Sequence, residues 1–240
     1  MSRTQIKTAM VMAAGHGTRL RPLTNTTCKA LVKVGGKALV NHTLDRLHAA
    51  GITRAVVNVH AFADDLEAHL RARETGPEII ISDEREELLE TGGGVVKALP
   101  LLGEDPIFIC NIDAMWIEFE DVLSSMMVRW NSDEMDELFL LAPRHATLGL
   151  DGRGDFRLHP DDRIDRAGEH GSDLFYAGVE IFKPALARPF ELAKFSRNKI
   201  WDGTLARRRA YGHVLGGYWM HVGDPEAHRA AEIVLSEKNK

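Results

Sequence analysis

The sequence predicts an α/β fold, a Rossmann-like and mostly parallel sheet with flanking helices. Short apolar runs alternate with segments of helical periodicity through the first half of the 240 residues. The composition, 44% apolar and 27% charged, allows a sizeable buried core. We expect one domain, with a core over about residues 1–145 and a small antiparallel lobe followed by a C-terminal helix over about 146–240.

Five strands are predicted in the first half, at residues 6–13, 55–60, 78–83, 107–111 and 137–142. Apolar residues recur at helical spacing between them, at Val40, Leu44 and Leu47, at Leu66 and Leu70, and at Val95, Leu99 and Leu102. We interpret these stripes as the core faces of crossover helices.

The second half of the chain is less regular. Residues 151–157 are polar and rich in turn formers, and residues 174–182 have the pattern of a strand. We interpret this region as an antiparallel lobe that covers a bound substrate. The run Asp224-Pro225-Glu226 predicts the start of a last helix, because it offers an N-cap, a proline in the first turn and an early acid.

Charge and cysteine content narrow the function classes. A net charge of −5 argues against an extended nucleic-acid surface, and no apolar run approaches the ~18–20 residues of a membrane span. Cys28 and Cys110 have neither metal-site spacing nor the density of a disulfide framework. We therefore expect reduced thiols and a cytoplasmic location, with no nucleic-acid or membrane partner.

A glycine-rich loop follows the first strand. Gly15 and Gly17 free backbone amides from side-chain bulk, and Arg19, Arg21 and Lys29 follow closely. Backbone amides and nearby cations are what a polyphosphate requires, so the loop predicts nucleotide binding.

Two other phosphate-binding loops do not fit this segment. The dinucleotide fingerprint requires a third glycine where Leu20 stands. The P-loop requires a lysine directly after its glycines, whereas Lys29 lies twelve residues beyond Gly17. A simple strand-to-helix turn remains the alternative, and the arginines and the lysine disfavour it.

Asp113 ends the fourth predicted strand in an apolar context. A carboxylate there is costly unless a cation offsets its charge. Mg²⁺ commonly binds one or two carboxylates together with substrate phosphates, so we expect Asp113 to be a metal ligand. Capping of the following turn is the alternative. Because ligands bind at the carboxyl ends of parallel strands, Asp113 and the glycine loop should share one crevice.

A second glycine motif, Glu90-Thr91-Gly92-Gly93-Gly94, stands before the helix predicted to begin at Val95. Three successive glycines carry an entropic cost, which favours close approach of a ligand to their amides. Glu90 could accept hydrogen bonds from hydroxyls or a ring N–H. The alternative is that Thr91 caps the helix and the glycines form a hinge.

Together these motifs resemble those of the sugar-1-phosphate nucleotidyltransferases, and most of all the N-acetylmuramate-1-phosphate uridylyltransferases of bacterial cell-wall recycling. The matching segments are residues 13–24, 90–94, 111–113, 152–157 and 219–223. The resemblance implies a nucleotide-diphospho-sugar transferase fold. It also implies a reaction in which a sugar 1-phosphate attacks the α-phosphorus of a nucleoside triphosphate and pyrophosphate leaves. The implied substrates are N-acetylmuramate 1-phosphate and UTP, and the implied product is UDP-N-acetylmuramic acid. A monomer or small homo-oligomer is expected.

The resemblance also implies residue roles. Arg19 would hold the β- and γ-phosphates, Lys29 the α-phosphate and Asp113 the metal. The implied nucleotide contacts are Ala13, Ala14, Gly15, Gly17, Thr18, Glu90, Gly92 and Gly93. The implied sugar contacts are Asn111, Gly154, Asp155, Arg157 and Gly178. Tyr176 resembles a residue of the sugar-pocket floor and could equally be packing.

The chain departs from the family pattern at three places. Cys28 and Ala30 replace the prolines that usually flank the lysine, and Ile112 replaces a glycine or other small residue. His221 stands where the family has a second metal carboxylate. Imidazole binds softer ions better than it binds Mg²⁺, so Mn²⁺ is an alternative metal. Asp224 is either a substitute metal ligand or a helix cap.

Two alternatives remain at this point. One is a mannose- or heptose-1-phosphate guanylyltransferase. The other is a nucleotide-sugar-binding regulator with weakened catalysis, suggested by His221 and the altered lysine loop, although Arg19, Lys29 and Asp113 are all present.

Overall fold

A nine-stranded mixed sheet forms the centre of the computed structural model, which describes residues 5–150 and 152–238. The strands of this part of the chain are β1 (Thr8–Met12), β2 (Lys33–Val34), β3 (Lys37–Ala38), β4 (Arg54–Val59), β5 (Glu78–Asp83), β6 (Ile107–Asn111), β7 (Ala114–Glu118), β8 (Glu137–Pro143), β9 (Thr147–Leu148), β10 (Phe156–Leu158), β11 (Ile164–Arg166), β12 (Leu174–Phe182), β13 (Ala210–Val214) and β14 (Gly217–His221). The α-helices are α1 (Leu39–Ala49), α2 (Ala63–Arg71), α3 (Glu90–Leu102), α4 (Val122–Arg129), α5 (Asn198–Ala206) and α6 (Pro225–Lys238).

The centre of the sheet is parallel, in the order β6-β1-β4-β5. The predicted α/β class and the five predicted strands are therefore confirmed, with shifts of one or two residues at some ends. The first strand ends at Met12 rather than at Ala13, because the Ala13 amide donates to Oδ1 of Asn58, at 2.7 Å, instead of to a strand neighbour.

Both faces of this parallel sheet are covered by helices, as expected for crossover connections. Val11 and Val57 pack in one apolar cluster, which also contains the core-facing residues of α1 and α2. Met10 and Val56 point the other way and pack against Val95 of α3. The period of two along the strands thus produces two core layers, and the predicted helical stripes are confirmed as core.

The second half of the chain contributes strands to both the main sheet and a smaller sheet. β12 lies in the main sheet, antiparallel to both β6 and β8, while a three-stranded sheet takes β7 from the first half and β9 and β14 from the second. The two sheets therefore do not divide at residue 145. The reason is burial, because Val179, Ile181 and Phe182 are fully buried in β12. Within the predicted turn-rich run, residue 151 lies outside the described residues.

The predicted start of the last helix is confirmed. Oδ1 of Asp224 accepts from the amides of Glu226 and Ala227, at 3.0 and 2.9 Å, and α6 begins at Pro225. Cys28 and Cys110 are buried free thiols that form no disulfide. No helix among the described residues has the length and apolar content needed to cross a membrane.

Candidate active site

Two cavities open at the carboxyl ends of the parallel strands. The first, of about 470 Å³, we call the loop cavity because the glycine loop forms one wall. Of the residues predicted to contact nucleotide or to act in catalysis, these line it: Ala13, Ala14, Gly15, Gly17, Thr18, Arg19, Lys29, Glu90 and Asp113. The crevice therefore lies where it was predicted, at the carboxyl ends of the parallel strands.

The second cavity, of about 280 Å³, we call the lobe cavity. It lies between the main sheet, the small sheet and α5, and its lining includes Asp155, Arg166, Tyr176, Gly178, Trp201 and His221. Asn111 and Asp113 line both cavities, so these two residues mark where the cavities meet. Oδ1 of Asn111 is buried and has no partner among the described residues, which suits a ligand contact at this junction.

The glycine loop is shaped by Gly17. Its φ is +62°, and a Cβ there would lie 2.9 Å from Cβ of Lys29. Thr24 closes the turn, because its hydroxyl donates to the Gly17 carbonyl at 2.8 Å. Gly15, in contrast, has nothing within 4 Å of an added Cβ. Gly17 is therefore required by the turn itself, whereas Gly15 leaves space open towards the cavity.

Lys29 and Asp113, predicted separately, form an ion pair. Nζ of Lys29 lies 2.6 Å from Oδ2 of Asp113, and their side chains are only 11% and 19% exposed. Burial raises the pKa of Asp113, but the charges of Lys29 and of the nearby His221 outweigh burial and leave this pKa below its ordinary value. Asp113 is thus held as a carboxylate in the turn between β6 and β7.

His221 lies beside this pair at the end of β14. Its Nδ1 is 3.9 Å from Oδ2 of Asp113, and the Val222 amide donates to the Asp113 carbonyl at 3.0 Å. Burial lowers the pKa of His221 below its ordinary value, and Lys29 and Arg19 contribute to the lowering. The charge of Asp113 acts in the opposite direction on the pKa of His221, and the net lowering favours the neutral imidazole, which is the form that can bind a metal.

These residues fit a divalent cation in part. The described residues contain no group of three or more His, Cys, Asp and Glu side chains arranged around a metal position. Asp113 and His221 supply one carboxylate and one nitrogen, and one oxygen of Asp224 is engaged as the cap of α6. Such a set suits an ion that takes most of its ligands from phosphates and water, as Mg²⁺ does.

A buried network that sequence reasoning missed supports the loop cavity. Oδ1 of Asn58 accepts from the amides of Ala13 and Ala14, while its Nδ2 donates to Glu84 at 2.7 Å. The second oxygen of Glu84 accepts from the Leu89 amide at 3.1 Å. The network links the walls on either side of the cavity. The sequence feature that could have indicated this network is Asn58, an uncommon polar side chain within an apolar strand.

The helix of the second glycine motif begins earlier than the predicted start at Val95. The helix begins at Glu90, so the three glycines lie inside α3, and the amides of Gly92 and Gly93 donate to the carbonyl of Phe195. An added Cβ on Gly92 would lie 2.5 Å from Cδ2 of Phe195. Gly92 and Gly93 line neither cavity. They allow close packing of α3 against residues 193–195, and their predicted contact with a nucleotide stays a prediction.

Glu90 itself lines the loop cavity and has a left-handed backbone, with φ of +60°. A non-glycine residue in that region is strained, and such strain is concentrated at functional sites. Its predicted contact with the nucleotide stays a prediction.

The predicted sugar contacts divide into two groups. Asn111, Asp155 and Gly178 line the lobe cavity, as does Tyr176. Gly154 and Arg157 do not line it, and their predicted contact with the sugar stays a prediction. Gly154 is required where its backbone approaches Ser172 and Leu174, and Arg157 is exposed with Nη2 directed to the Ala167 carbonyl.

The bulge in β12 shapes the cavity floor. Gly178 has a φ of +79° where the β12–β8 register shifts, and a Cβ there would lie 2.6 Å from Cβ of Ala114. Oδ2 of Asp155 accepts from the Tyr176 amide at 2.8 Å. Burial nevertheless raises the pKa of Asp155 above its ordinary value.

A fully buried ion pair lies behind Tyr176. Nε of Arg197 is 3.0 Å from Oε1 of Glu180, and these side chains are 2% and 0% exposed. Nη2 of Arg197 donates to the Tyr176 hydroxyl at 3.0 Å, and its amide donates to Thr91 at 2.9 Å. Because Thr91 lines the loop cavity and Tyr176 the lobe cavity, Arg197 connects the two.

Comparison with known proteins gives consistent findings. The family model described as nucleotidyl transferase matches residues 8–143. The chain is 49% identical to N-acetylmuramate alpha-1-phosphate uridylyltransferase of Caulobacter vibrioides, over 96% of this chain and 98% of that protein. The protein of the same name from Neisseria meningitidis is 33% identical over 90% and 92% of the two chains.

More distant relatives share less of their length or sequence. Mannose-1-phosphate guanylyltransferase catalytic subunit beta of Danio rerio is 29% identical over 91% of this chain and 61% of that protein. A crystal structure of UDP-glucose pyrophosphorylase complexed with UDP-glucose superposes with a TM-score of 0.79, covering 98% of this chain and all of that chain. Its identity is 16%, so this likeness supports the fold alone.

Proposed function

We propose that this chain, which belongs to the sugar-1-phosphate nucleotidyltransferase family, transfers the uridylyl group of UTP to N-acetylmuramate 1-phosphate. The products are UDP-N-acetylmuramate and pyrophosphate. The observation that carries the choice of substrates is the 49% identity, over nearly the full length of both chains, to the Caulobacter vibrioides uridylyltransferase. The mannose-1-phosphate guanylyltransferases are less similar and longer than this chain.

The two cavities suit the two substrates of such a reaction. We assign UTP to the loop cavity, where open space at Gly15 and the cations Arg19 and Lys29 would receive its phosphates. We assign the sugar to the lobe cavity, whose aromatic and polar lining is typical of sugar sites. The reacting phosphates would then meet at the junction formed by Asn111 and Asp113.

In the reaction, a phosphate oxygen of N-acetylmuramate 1-phosphate forms a bond to the α-phosphorus of UTP. The bond between that phosphorus and the α–β bridging oxygen breaks, and its electron pair leaves with pyrophosphate. The nucleophile is already an anion, so no general base is required. Catalysis therefore depends on orientation and on stabilising negative charge, which are the roles we assign to Lys29 and Arg19.

We propose that Asp113 and His221 hold a divalent cation, Mg²⁺ or Mn²⁺, together with the triphosphate. When bound, the ion supplies charge neutralisation and orientation for the phosphates. Lys29 would then move its contact from Asp113 to the α-phosphate, since both acceptors lie within reach of one flexible ammonium group. Asp224 stays primarily a helix cap in this proposal.

A substrate panel tests the proposed function. Pyrophosphate release is measured for UTP, GTP, CTP and dTTP, each with the 1-phosphates of N-acetylmuramate, N-acetylglucosamine and mannose. We expect the highest kcat/KM for UTP with N-acetylmuramate 1-phosphate. A preference for GTP with mannose 1-phosphate would identify a guanylyltransferase instead. Tight nucleotide-sugar binding without turnover of any pair would identify a binding protein.

A further inference from the structure

An arginine that sequence reasoning did not assign lines the lobe cavity. Arg166 is the last residue of β11, and both of its hydrogen bonds leave from Nη2, to Asn198 at 3.0 Å and to Asp202 at 2.8 Å. Among the described residues, Nε and Nη1 of Arg166 have no hydrogen-bond acceptor. One side of the guanidinium is therefore available to a ligand.

The orientation of this guanidinium is fixed by aromatic rings. Its Cζ lies 5.3 Å from the ring centroid of Phe156 and 5.5 Å from that of Trp201, which also lines the cavity. A planar cation held in this way has the geometry that recognises a carboxylate. Asp202 is a weak competitor, because its side chain is 65% exposed and exposed ion pairs contribute little.

Other charges around the lobe cavity are already engaged. Asp113 pairs with Lys29, and Asp155 accepts from the Tyr176 amide. Arg166 is the one arginine or lysine among the described residues that line this cavity. An acidic group on a sugar bound there would therefore find its oppositely charged partner in Arg166.

We propose that Arg166 is a specificity-determining residue, which binds the carboxylate of an acidic sugar substituent and so selects acidic over neutral sugar 1-phosphates. This inference rests on the proposed function, in which the acidic substituent is the lactyl ether of N-acetylmuramate. Arg157, on the neighbouring strand β10, cannot take this role, because β10 pairs Phe156 with Arg166 and turns Arg157 to the other face with Asp165.

The test compares two substrates that differ only in the lactyl ether, N-acetylmuramate 1-phosphate and N-acetylglucosamine 1-phosphate. For Arg166→Gln we expect kcat/KM for the acidic sugar to fall about 10- to 100-fold, since hydrogen bonds to charged groups have that strength. The value for the neutral sugar should stay within about twofold by the same argument, because no such bond is lost.

Arg163→Gln is the matched control. Arg163 stands just before β11, is 37% exposed against 38% for Arg166, stacks over Tyr211 and pairs with Asp161, yet lines neither cavity. We expect it to leave both substrates unaffected. If Arg166→Gln unfolds, Arg166→Lys keeps the charge without the planar fork and should give a smaller loss, again confined to the acidic sugar.

Equal losses on both substrates would overturn the inference, because Arg166 would then contact a group that both share, such as the 1-phosphate. Calorimetric binding of free N-acetylmuramate and N-acetylglucosamine gives the same comparison without turnover. If the wild-type protein does not turn over N-acetylmuramate 1-phosphate, the proposed function fails, and the binding comparison still decides the role of Arg166.

Discussion

The loop cavity and the lobe cavity meet at Asn111 and Asp113 but are built differently. One wall of the loop cavity is a nearly continuous run, from Met12 to Arg19, that leaves a strand of the parallel sheet. The lobe cavity takes single residues from strands of both sheets and from α5. A contiguous motif can be recognised in a sequence, whereas a cavity assembled from distant residues depends on strand register.

The ion pairs of the two regions also differ, in how far they are exposed to solvent. Lys29–Asp113 lies at the junction and remains partly exposed, so its groups can exchange partners with a ligand. Glu180–Arg197 lies behind the lobe cavity with almost no exposure. The first pair is suited to chemistry and the second to holding structure. Variants of each should therefore separate loss of activity from loss of stability.

Asp113→Asn should have the largest effect on activity. The amide keeps the shape of the side chain but removes the charge that would hold the cation, so metal-dependent turnover should fall to background, by about 10³-fold or more. Pyrophosphate release and the melting temperature are measured on the same sample. A folded variant with full activity in Mg²⁺ would reduce Asp113 to a structural turn residue.

Arg197→Met should have the largest effect on stability. It leaves Glu180 buried without its partner, which costs about 3–5 kcal/mol in similar cases. We expect unfolding by urea at correspondingly lower concentration. Replacing both residues with Met should recover part of the loss, because the unpaired carboxyl of Glu180 is then removed as well.

This destabilisation should also depend on pH. Burial raises the pKa of Glu180, and Arg197 acts in the opposite direction, so its removal raises this pKa further. A carboxyl whose pKa is higher in the folded than in the unfolded protein loses stability as pH rises through the folded value. The loss in free energy of unfolding, relative to wild type, should therefore be larger at pH 8 than at pH 5. A larger loss at pH 5 would contradict the presence of a buried unpaired carboxylate.

Lys29→Ala should reduce turnover by about 10²–10³-fold at saturating substrate, which is the effect of losing one preorganised group that stabilises developing charge. Its melting temperature should fall less than that of Arg197→Met, because Asp113 is partly exposed whereas Glu180 is not. Lys37→Ala is the control, because Lys37 is an exposed lysine paired with Asp45 outside both cavities. Near wild-type turnover in Lys29→Ala would make Lys29 a structural partner of Asp113 only.

How far the sequence could predict the site follows the contrast between the cavities. The parallel strands, Gly15, Gly17, Lys29 and Asp113 could be predicted because each signal is local and strand ends converge by topology. Arg166 could not, since its place depends on which residue of β10 it faces, and antiparallel register is not encoded in either short strand alone. Asn58 was hidden for a related reason, because its partners lie in other segments.

The triple glycine illustrates a different difficulty. Glycines before a helix suggested exposed amides, but the residues they must accommodate, Ala193 and Phe195, lie about a hundred positions away. Absence of a side chain is equally consistent with close approach of a ligand and of another segment. Only the three-dimensional contacts of Gly92 and Gly93 distinguish the two.

Gly92→Ala tests this distinction directly. The added Cβ would collide with Phe195, and overpacking of this kind costs about 1–3 kcal/mol, so the melting temperature should fall by several degrees. Gly216→Ala is the control, because an added Cβ there has nothing within 4 Å and the backbone is not left-handed. An unchanged melting temperature with weakened UTP binding would restore the idea that this amide faces the nucleotide.

His221→Asp should have a smaller effect than the preceding variants, and it concerns the junction of the two cavities. The variant adds a carboxylate beside Asp113, so the Mg²⁺ concentration for half-maximal rate should fall by a factor on the order of 3–10, since ligand charge count tunes affinity for hard cations. Wild type should need less Mn²⁺ than Mg²⁺, because Mn²⁺ tolerates a nitrogen ligand better.

Asp224→Asn completes this comparison, because asparagine caps a helix as well as aspartate does and the change removes only the charge. With Asp224 acting as a cap, both the melting temperature and the Mg²⁺ requirement should stay close to wild type. A large loss of activity in Asp224→Asn, with an unchanged Mg²⁺ requirement in His221→Asp, would show that Asp224 is the second metal ligand. The metal would then be held by two carboxylates, and the imidazole would serve only to position Asp113.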